Sequence, residues 1–461
     1  MLLSNHAIGT HIRRNLLIPF YWKYINPSHV LDYYRDLKKL QWNSIEDNRQ
    51  IQRKKLYNLI QYTSQNIPYY QLIIKKYGIK FTKGTIFDDL KKFPLLTKDV
   101  IRNHFDELYR FKNKTYYRNT SGGSTGEPVV FYQDKEYLSW ANASKRLFNK
   151  WAGRKLGESM MKLWSSQPDI FEGGQGFKGY LRQQVSGITT LGASKMSEKD
   201  MFERVKYINK LKPRFILTYT NSIDELTRFI QRNHLYVYSP HAIMTTAGVL
   251  YPDLKARIEE VFHTTVFNRY GSREVSNMAC NCEEDEGLHI IPAIHYLEIV
   301  DDEGRQTKPG TPGNILVTLL TNYTMPLIRY KIEDRGVLSN KRCSCGRGFP
   351  LMEKVEGRIT DNFRNKFGDY VSGGIFFEFF YYQDNIKQFQ IVQKAVDSIS
   401  INLVLNDIKK FKDMEKSLKE INQKICKIMG HDTVIEYNIV DEIEPSPSGK
   451  YNYSFSNIKK T

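Results

Sequence analysis

The stretch Thr120-Ser-Gly-Gly-Ser-Thr-Gly-Glu-Pro128 is where the reading of this chain turns. Its first seven positions hold three glycines and four hydroxyl residues. Such a segment bends easily and is rich in hydrogen-bond donors. Its backbone N–H groups and hydroxyls suit the oxygens of a polyphosphate. It is not a Walker A loop, because no Gly-Lys-Ser/Thr follows at the required distance. Taken alone, the same residues serve a surface turn equally well.

Around this loop, from 116 to 330, short β-rich runs alternate with helical ones. Arg214–Tyr219 reads as a buried strand, Ser222–Asn233 as a helix and Val266–Arg269 as a strand again. That alternation predicts an α/β body. Upstream, residues 28–65 carry apolar residues at helical spacing, and Asn66-Ile67-Pro68 ends the stretch. Thr97 is placed as the N-cap of a further helix. Downstream, Ser398–Leu405 alternates as a strand does. Apolar residues then recur every three or four positions from Ile408 to Ile428, predicting one long amphipathic helix that stops at Gly430. Thr433–Val440 reads as another strand. The expected architecture is a large N-terminal α/β domain, residues 1–357, with a helical front. A small α+β C-terminal domain, residues 358–461, follows it.

The chain has 461 residues, with 41% hydrophobic and 26% charged side chains. That excludes intrinsic disorder and collagen. No run approaches the length of a membrane-spanning helix. Five cysteines are too few for a secreted disulfide framework. Arg13-Arg14 precedes an apolar run, but the run is short, contains Pro19 and meets Lys23 instead of a cleavage site. The location read from this is cytoplasmic, with contact to the inner membrane face left open. The net charge is +18, of which residues 1–118 hold +13. Such a balance favours anionic partners. AT-rich coding would also raise the lysine content without any function.

Four more motifs follow the loop: Tyr270-Gly271-Ser272-Arg273-Glu274, Pro326–Asp334 around Arg329, Gly357-Arg358-Ile-Thr-Asp361, and Pro447-Ser-Gly449-Lys450. Singly, each is more often a turn or a solvated charge cluster. In this order and at these separations, the five resemble the adenylate-forming superfamily. They are most similar to its phenylacetate–CoA ligase-like branch, which includes proteins of capsular-polysaccharide biosynthesis. The resemblance spans nearly the whole chain. It implies an AMP-forming ligase using ATP and Mg²⁺, and it assigns roles to residues. Ser121, Gly122, Gly123, Ser124, Thr125 and Gly126 would hold phosphates. Gly248, Tyr270, Gly271, Ser272, Asp334 and Arg358 would line the nucleotide site, with Asp334 accepting from the ribose hydroxyls. Glu274 would hold Mg²⁺. Lys450, on a mobile small domain hinged near Asp361, would reach the α-phosphate and the carboxylate. Three departures stand out: Glu333 where the branch has a glycine before the ribose carboxylate, Val129 in place of a lysine, and Val249 in place of an acid.

The cysteines pair as Cys280/Cys282 and Cys343/Cys345. Thiolates on two turns suit tetrahedral Zn²⁺. His289 competes as a ligand, and it resembles the histidine of zinc-carrying members of the branch. The set is either four cysteines or Cys282, His289, Cys343 and Cys345, with reduced free thiols as the plain alternative. Cys426 is expected to be packing.

Two functions remain at this stage. One is a ligase that activates a carboxylic acid and passes it to CoA or an amine. The other is a non-catalytic basic protein that keeps the fold and binds a membrane, a lipid-linked glycan or nucleic acid. No nucleic-acid-binding module is legible, so no nucleic acid is expected. Trp140, Trp164, Ser165, Gln167 and Tyr219 are candidates for the acid pocket, or for core.

Overall fold

The computed structural model describes residues 7–111, 116–121, 129–164, 184–192, 198–358, 362–367, 370–372, 376, 379–380, 383, 385–444 and 453–458. The chain divides into two units, Met1–Val355 and Glu356–Thr461.

The first unit opens with helical turns, α1 (Ala7–Ile12) and α2 (Ile18–Phe20). The longer helices α3 (Val30–Leu40), α4 (Ile45–Asn66) and α5 (Pro68–Lys76) follow, then the short α6 (Ile86–Leu90) and α7 (Lys98–Asn103). Local chemistry sets several of these ends. Ser44 accepts a hydrogen bond from the Asp47 N–H to start α4, and Pro68 at the first turn of α5 needs no donor partner. Thr97 accepts from the Val100 N–H, as its position predicts.

A hairpin, β1 (Tyr116–Thr120) with β2 (Val130–Asp134), leads into α8 (Lys135–Trp151). Asp134 caps that helix by accepting from Tyr137 N–H. An eleven-stranded sheet forms the body. Its parallel half holds β3 (Met160–Trp164), β4 (Ile188–Gly192), β5 (Phe215–Tyr219), β6 (Ala242–Thr246) and the start of β7 (Thr265–Ser272). Helices α9 (Glu198–Leu211), α10 (Thr220–Arg232) and α11 (Pro252–Phe262) make the crossovers. The strands β5 and β6 are buried along their whole length, which fits their mainly apolar and β-branched sequences, Phe-Ile-Leu-Thr-Tyr and Ala-Ile-Met-Thr-Thr. The other half holds β8 (Ser276–Asn281), β9 (Leu288–Ile290), β10 (His295–Val300), β11 (Gly313–Leu319), β12 (Tyr330–Leu338) and β13 (Leu351–Arg358). Across the sheet the order is β10-β11-β12-β13-β9-β8-β7-β6-β5-β3-β4.

The second unit has short strands β14 (Asn362–Arg364) and β15 (Tyr370–Ser372). Its main sheet holds β16 (Ile386–Ala395), β17 (Ser398–Leu405), β18 (Val434–Ile439) and β19 (Ser454–Ser456) in the order β18-β17-β16-β19. Helix α12 (Glu415–Met429) lies between β17 and β18 in sequence and buries Leu418, Ile421, Ile425 and Met429. The expected helix from Ile408 is shorter than its apolar repeat. Residues Ile408–Met414 form 3₁₀ turns, and Ile408 is 66% exposed. Three residues per turn rotate Ile408 off the buried face. Cys426, half-buried, donates weakly to Thr433 O at 3.7 Å.

Arg329, in the third motif, is a structural hub. It is 4% exposed. It donates to the carbonyls of Lys91, Phe93 and Gly304 and pairs with the buried Glu298 at 3.2 Å. Its neighbouring backbone binds Leu96 on both sides, joining the segment before α7 to β12. Replacing Arg329 by Met leaves Glu298 buried without its partner. This is expected to cost about 3–5 kcal/mol in denaturant unfolding; a loss under 1 kcal/mol would contradict the hub.

His295 is fully buried, bonds Val275 O at 2.7 Å through Nε2, and has no partner for Nδ1 among the described residues. Burial pushes its pKa down to about 4. Between the unfolded value and that folded one, the unfolded chain binds the extra proton, so stability falls as pH drops. From pH 7 to 5 this histidine accounts for a loss of about 2 kcal/mol. Unfolding curves at the two pH values should show that loss flattened in His295→Gln.

Candidate functional site

The phosphate-loop motif connects β1 to β2 along the chain. Only the stem lies within the described residues: Gly122, Gly123, Ser124, Thr125 and Gly126 fall outside them. Ser121 is buried and closes the stem. Its N–H donates to Val129 O, and its hydroxyl accepts from Val129 N–H, each at 2.9 Å. The stem is tied to the second motif. Gln133 Nε2 donates to Arg273 O at 2.9 Å and to Glu274 O at 3.1 Å. Strand β2 of the hairpin and the Tyr270–Glu274 turn are therefore neighbours.

That turn stands at the carboxyl end of the parallel part of β7, where ligands of open α/β sheets bind. Gly271 is required by close approach. A Cβ there would lie 2.4 Å from Ser276 O. Glu274 is buried. The nearby Tyr137 hydroxyl is held above its ordinary pKa by burial first and by the Glu274 charge second. Ser272 Oγ is buried with no hydrogen-bond partner among the described residues. Gly248 follows the end of β6, and its carbonyl accepts from Thr220 Oγ1 at 3.2 Å. Ala247, beside it, adopts a φ of +65°, a left-handed conformation that costs an alanine energy.

Tyr270 donates its hydroxyl to Asp334 Oδ2 at 2.7 Å. This joins the second and third motifs, although β7 and β12 are not neighbours in the sheet. Glu333, the departure from the branch pattern, forms an ion pair with Lys98 and has a φ of +68°. Its side chain is thereby anchored to α7. Val249 lies in the loop after β6, and Val129, just before β2, is buried.

Trp164 and Tyr219, at the ends of β3 and β5, pack with ring centroids 4.4 Å apart. Ser165 and Gln167 lie outside the described residues. Trp140 belongs to a different cluster: Tyr33 stacks on it at 4.0 Å, and Lys55 Nζ sits 3.9 Å from its ring. It seals α3 and α4 against α8. Arg358 belongs to β13, while Asp361 and Lys450 lie outside the described residues.

The cysteine cluster takes one of the two expected forms. The ligand atoms of Cys282, His289, Cys343 and Cys345 all lie within 4.8 Å of one another. Cys282 and Cys343 sulfurs are 3.6 Å apart, and Cys345 Sγ is 3.5 Å from His289 Nε2. Tetrahedral zinc with sulfur ligands at about 2.3 Å needs such spacings. Cys280 is not part of this group. It lies in the main hydrophobic core, fully buried, where burial raises its thiol well above the usual range. It belongs to β8, whereas Cys282 lies past the strand end, so the Cys-x-Cys spacing does not put both sulfurs on one site.

The surroundings suit a metal. Burial, followed by the Arg347 charge, lowers the His289 pKa to about 4, which keeps the imidazole neutral. Arg347 donates its backbone N–H to Cys345 Sγ at 3.4 Å. Burial opposes ionisation of Cys345, but the hydrogen bonds from Arg347 and the neighbouring thiols bring its pKa below the ordinary value. The Arg347 guanidinium lies 5.1 Å from the rings of both Trp42 and Trp151 and bonds Gln41 and Glu283. The cluster thus clips the helical front to the sheet, and a sequence search for ligands does not reveal Arg347 or Gln41. Purified chain should carry about one zinc. Cys343→Ser should lower both the metal content and the melting temperature, while Cys280→Ala leaves the metal content unchanged. Loss of zinc from Cys280→Ala would refute the assignment.

The chain is similar to several known proteins. Residues 363–457 match the family model of the CapK C-terminal domain. Protein CapK of Staphylococcus aureus is 25% identical over 97% of this chain and 98% of its own. Phenylacetate-coenzyme A ligase of Thermus thermophilus is 26% identical over 68% of this chain and 71% of its own. Among solved structures, 2-hydroxyisobutyryl-CoA ligase in its postadenylation state superposes with a TM-score of 0.71, covering 91% of each chain at 16% identity. The chain is therefore a homologue of Protein CapK and of the phenylacetate-coenzyme A ligases, and it has the fold of the adenylate-forming CoA ligases.

Proposed function

We propose that the chain is an ATP-dependent, AMP-forming ligase. It activates a carboxylic acid as an acyl-adenylate and passes the acyl group to an acceptor, CoA or an amine. The observation that carries this reading is the joining of the Ser121 stem, Glu274, the Ser272 hydroxyl, which has no partner among the described residues, and the Tyr270–Asp334 pair at one place. Homology to phenylacetate-coenzyme A ligases supports it independently.

A carboxylate is a poor electrophile, because attack on it must expel a bad leaving group. In the first half-reaction its oxygen attacks the α-phosphorus of ATP, a carboxyl O–P bond forms, and pyrophosphate departs. In the second, a thiol or amine attacks the carbonyl carbon and AMP departs. Asp334 would accept hydrogen bonds from ribose hydroxyls, with Tyr270 fixing the carboxylate that does so. The Ser121-anchored loop would hold the β- and γ-phosphates. Glu274 offers a buried hard oxygen donor of the kind Mg²⁺ takes, and the ion when bound supplies charge neutralisation between phosphate and carboxylate. Lys450, carried on the second unit, would stabilise charge developing on the α-phosphate. The packing division near Val355 is consistent with a unit that moves between half-reactions. A role in surface-polysaccharide biosynthesis is part of this proposal, and its support is the resemblance of the five motifs to a branch that includes proteins of capsular-polysaccharide biosynthesis. No described helix is long and apolar enough to cross a membrane.

The test is pyrophosphate exchange with Mg·ATP across a panel of carboxylic acids, including uronic, aryl and amino acids. One class should support exchange. Lys450→Ala should lower that exchange by at least about a hundredfold while ATP binding is retained. Absence of exchange with every acid, together with binding to anionic vesicles, would favour the non-catalytic reading instead.

A further inference from the structure

The candidate site leaves most of the basic N-terminal charge unused, and part of that charge lines a separate cleft. The cleft encloses about 310 Å³ between α4, α6 and β10. Arg49 and Arg53 sit one turn apart on α4. Both guanidinium groups face the ring of Phe87, 4.5 Å and 5.0 Å from its centroid. Phe87 is itself stacked on Tyr296, with centroids 5.1 Å apart and planes inclined by 19°. Lys91, one turn beyond Phe87, adds a third cation and pairs with Asp88 at 2.8 Å.

This arrangement is incomplete in a specific way. Like charges four residues apart on a helix repel, and here no carboxylate bonds either arginine among the described residues. Arg53 donates one Nη to Gly84 O, but its Nε is buried with no partner among the described residues. Three cations against one carboxylate leave the wall suited to a dianion. Guanidinium forks match phosphate oxygens in geometry as well as charge. Leu297, Leu338 and Pro350 give the cleft an apolar side, and its volume exceeds what a bare phosphate fills.

We propose that this cleft is a second ligand site, which binds a small organic molecule through a phosphate monoester or diphosphate group. Arg49 and Arg53 grip the phosphate, Lys91 turns from Asp88 to it, and the organic part lies against the apolar side. The site shares no residue with the proposed nucleotide site, so it does not depend on the ligase reading.

The test is calorimetric titration of the full chain with glucose 1-phosphate, inorganic pyrophosphate and inorganic phosphate, without Mg²⁺. Glucose 1-phosphate and pyrophosphate should bind the wild type and Asp334→Asn equally. Arg49→Ala/Arg53→Ala should bind both at least about tenfold more weakly, as loss of charged hydrogen bonds dictates. Arg49 is exposed, so Arg49→Gln alone tests the site without risk to folding. It should weaken glucose 1-phosphate several-fold and leave pyrophosphate exchange unchanged. Unchanged affinity in Arg49→Gln, or loss of binding in Asp334→Asn, would overturn the site. Inorganic phosphate binding as tightly as glucose 1-phosphate would overturn its organic half.

Discussion

The hydrogen bond from Tyr270 to Asp334 is the constraint on which the site depends. The two residues sit on β7 and β12, and three strands separate those in the sheet. A flat sheet would hold them far apart, since each strand adds about 4.8 Å. The antiparallel half must therefore curl back on itself until β12 faces the turn after β7. Gly271 makes that turn tight enough, because any side chain there would strike the Ser276 backbone. The curl gathers residues that the chain spreads over two hundred positions.

Two buried arginines hold the helical front against this curled sheet. Arg329 gathers the carbonyls of Lys91, Phe93 and Gly304 and neutralises Glu298. Arg347 stands between two tryptophans and beside the Cys₃His cluster. A planar guanidinium donates in several directions at once, which a lysine cannot do. These contacts place α3, α4 and the segment before α7 where Lys98 can pair with Glu333 at the edge of the site. The basic front is thus bound into the enzyme body, and only part of its charge is spent there.

Much of the architecture was legible because local rules act over short distances. Thr97 caps its helix because a hydroxyl three residues before a free N–H does so in any context. The run at β5 read as a buried strand because both faces of a parallel sheet are covered. Legibility failed where a tertiary neighbour decides. The apolar repeat from Ile408 continues into α12, yet its first turns wind as 3₁₀ and leave Ile408 in solvent. Cys280 and Cys282 look equivalent in sequence, but one lies in the main core and the other in the thiol cluster. The role of Arg329 was hidden inside a motif that also carries Asp334, the partner of Tyr270.

By itself, the sequence determined the superfamily, the α/β body and the order of its motifs. It did so because motif order and hydrophobic period are properties of the chain alone. Only the tertiary structure decided which groups share a site. It chose His289 over Cys280, tied Glu333 to Lys98, and set Arg49 and Arg53 against a single aromatic ring. Those choices depend on distances between elements, which follow from the curl of the sheet and the packing of helices against it. No local pattern encodes them.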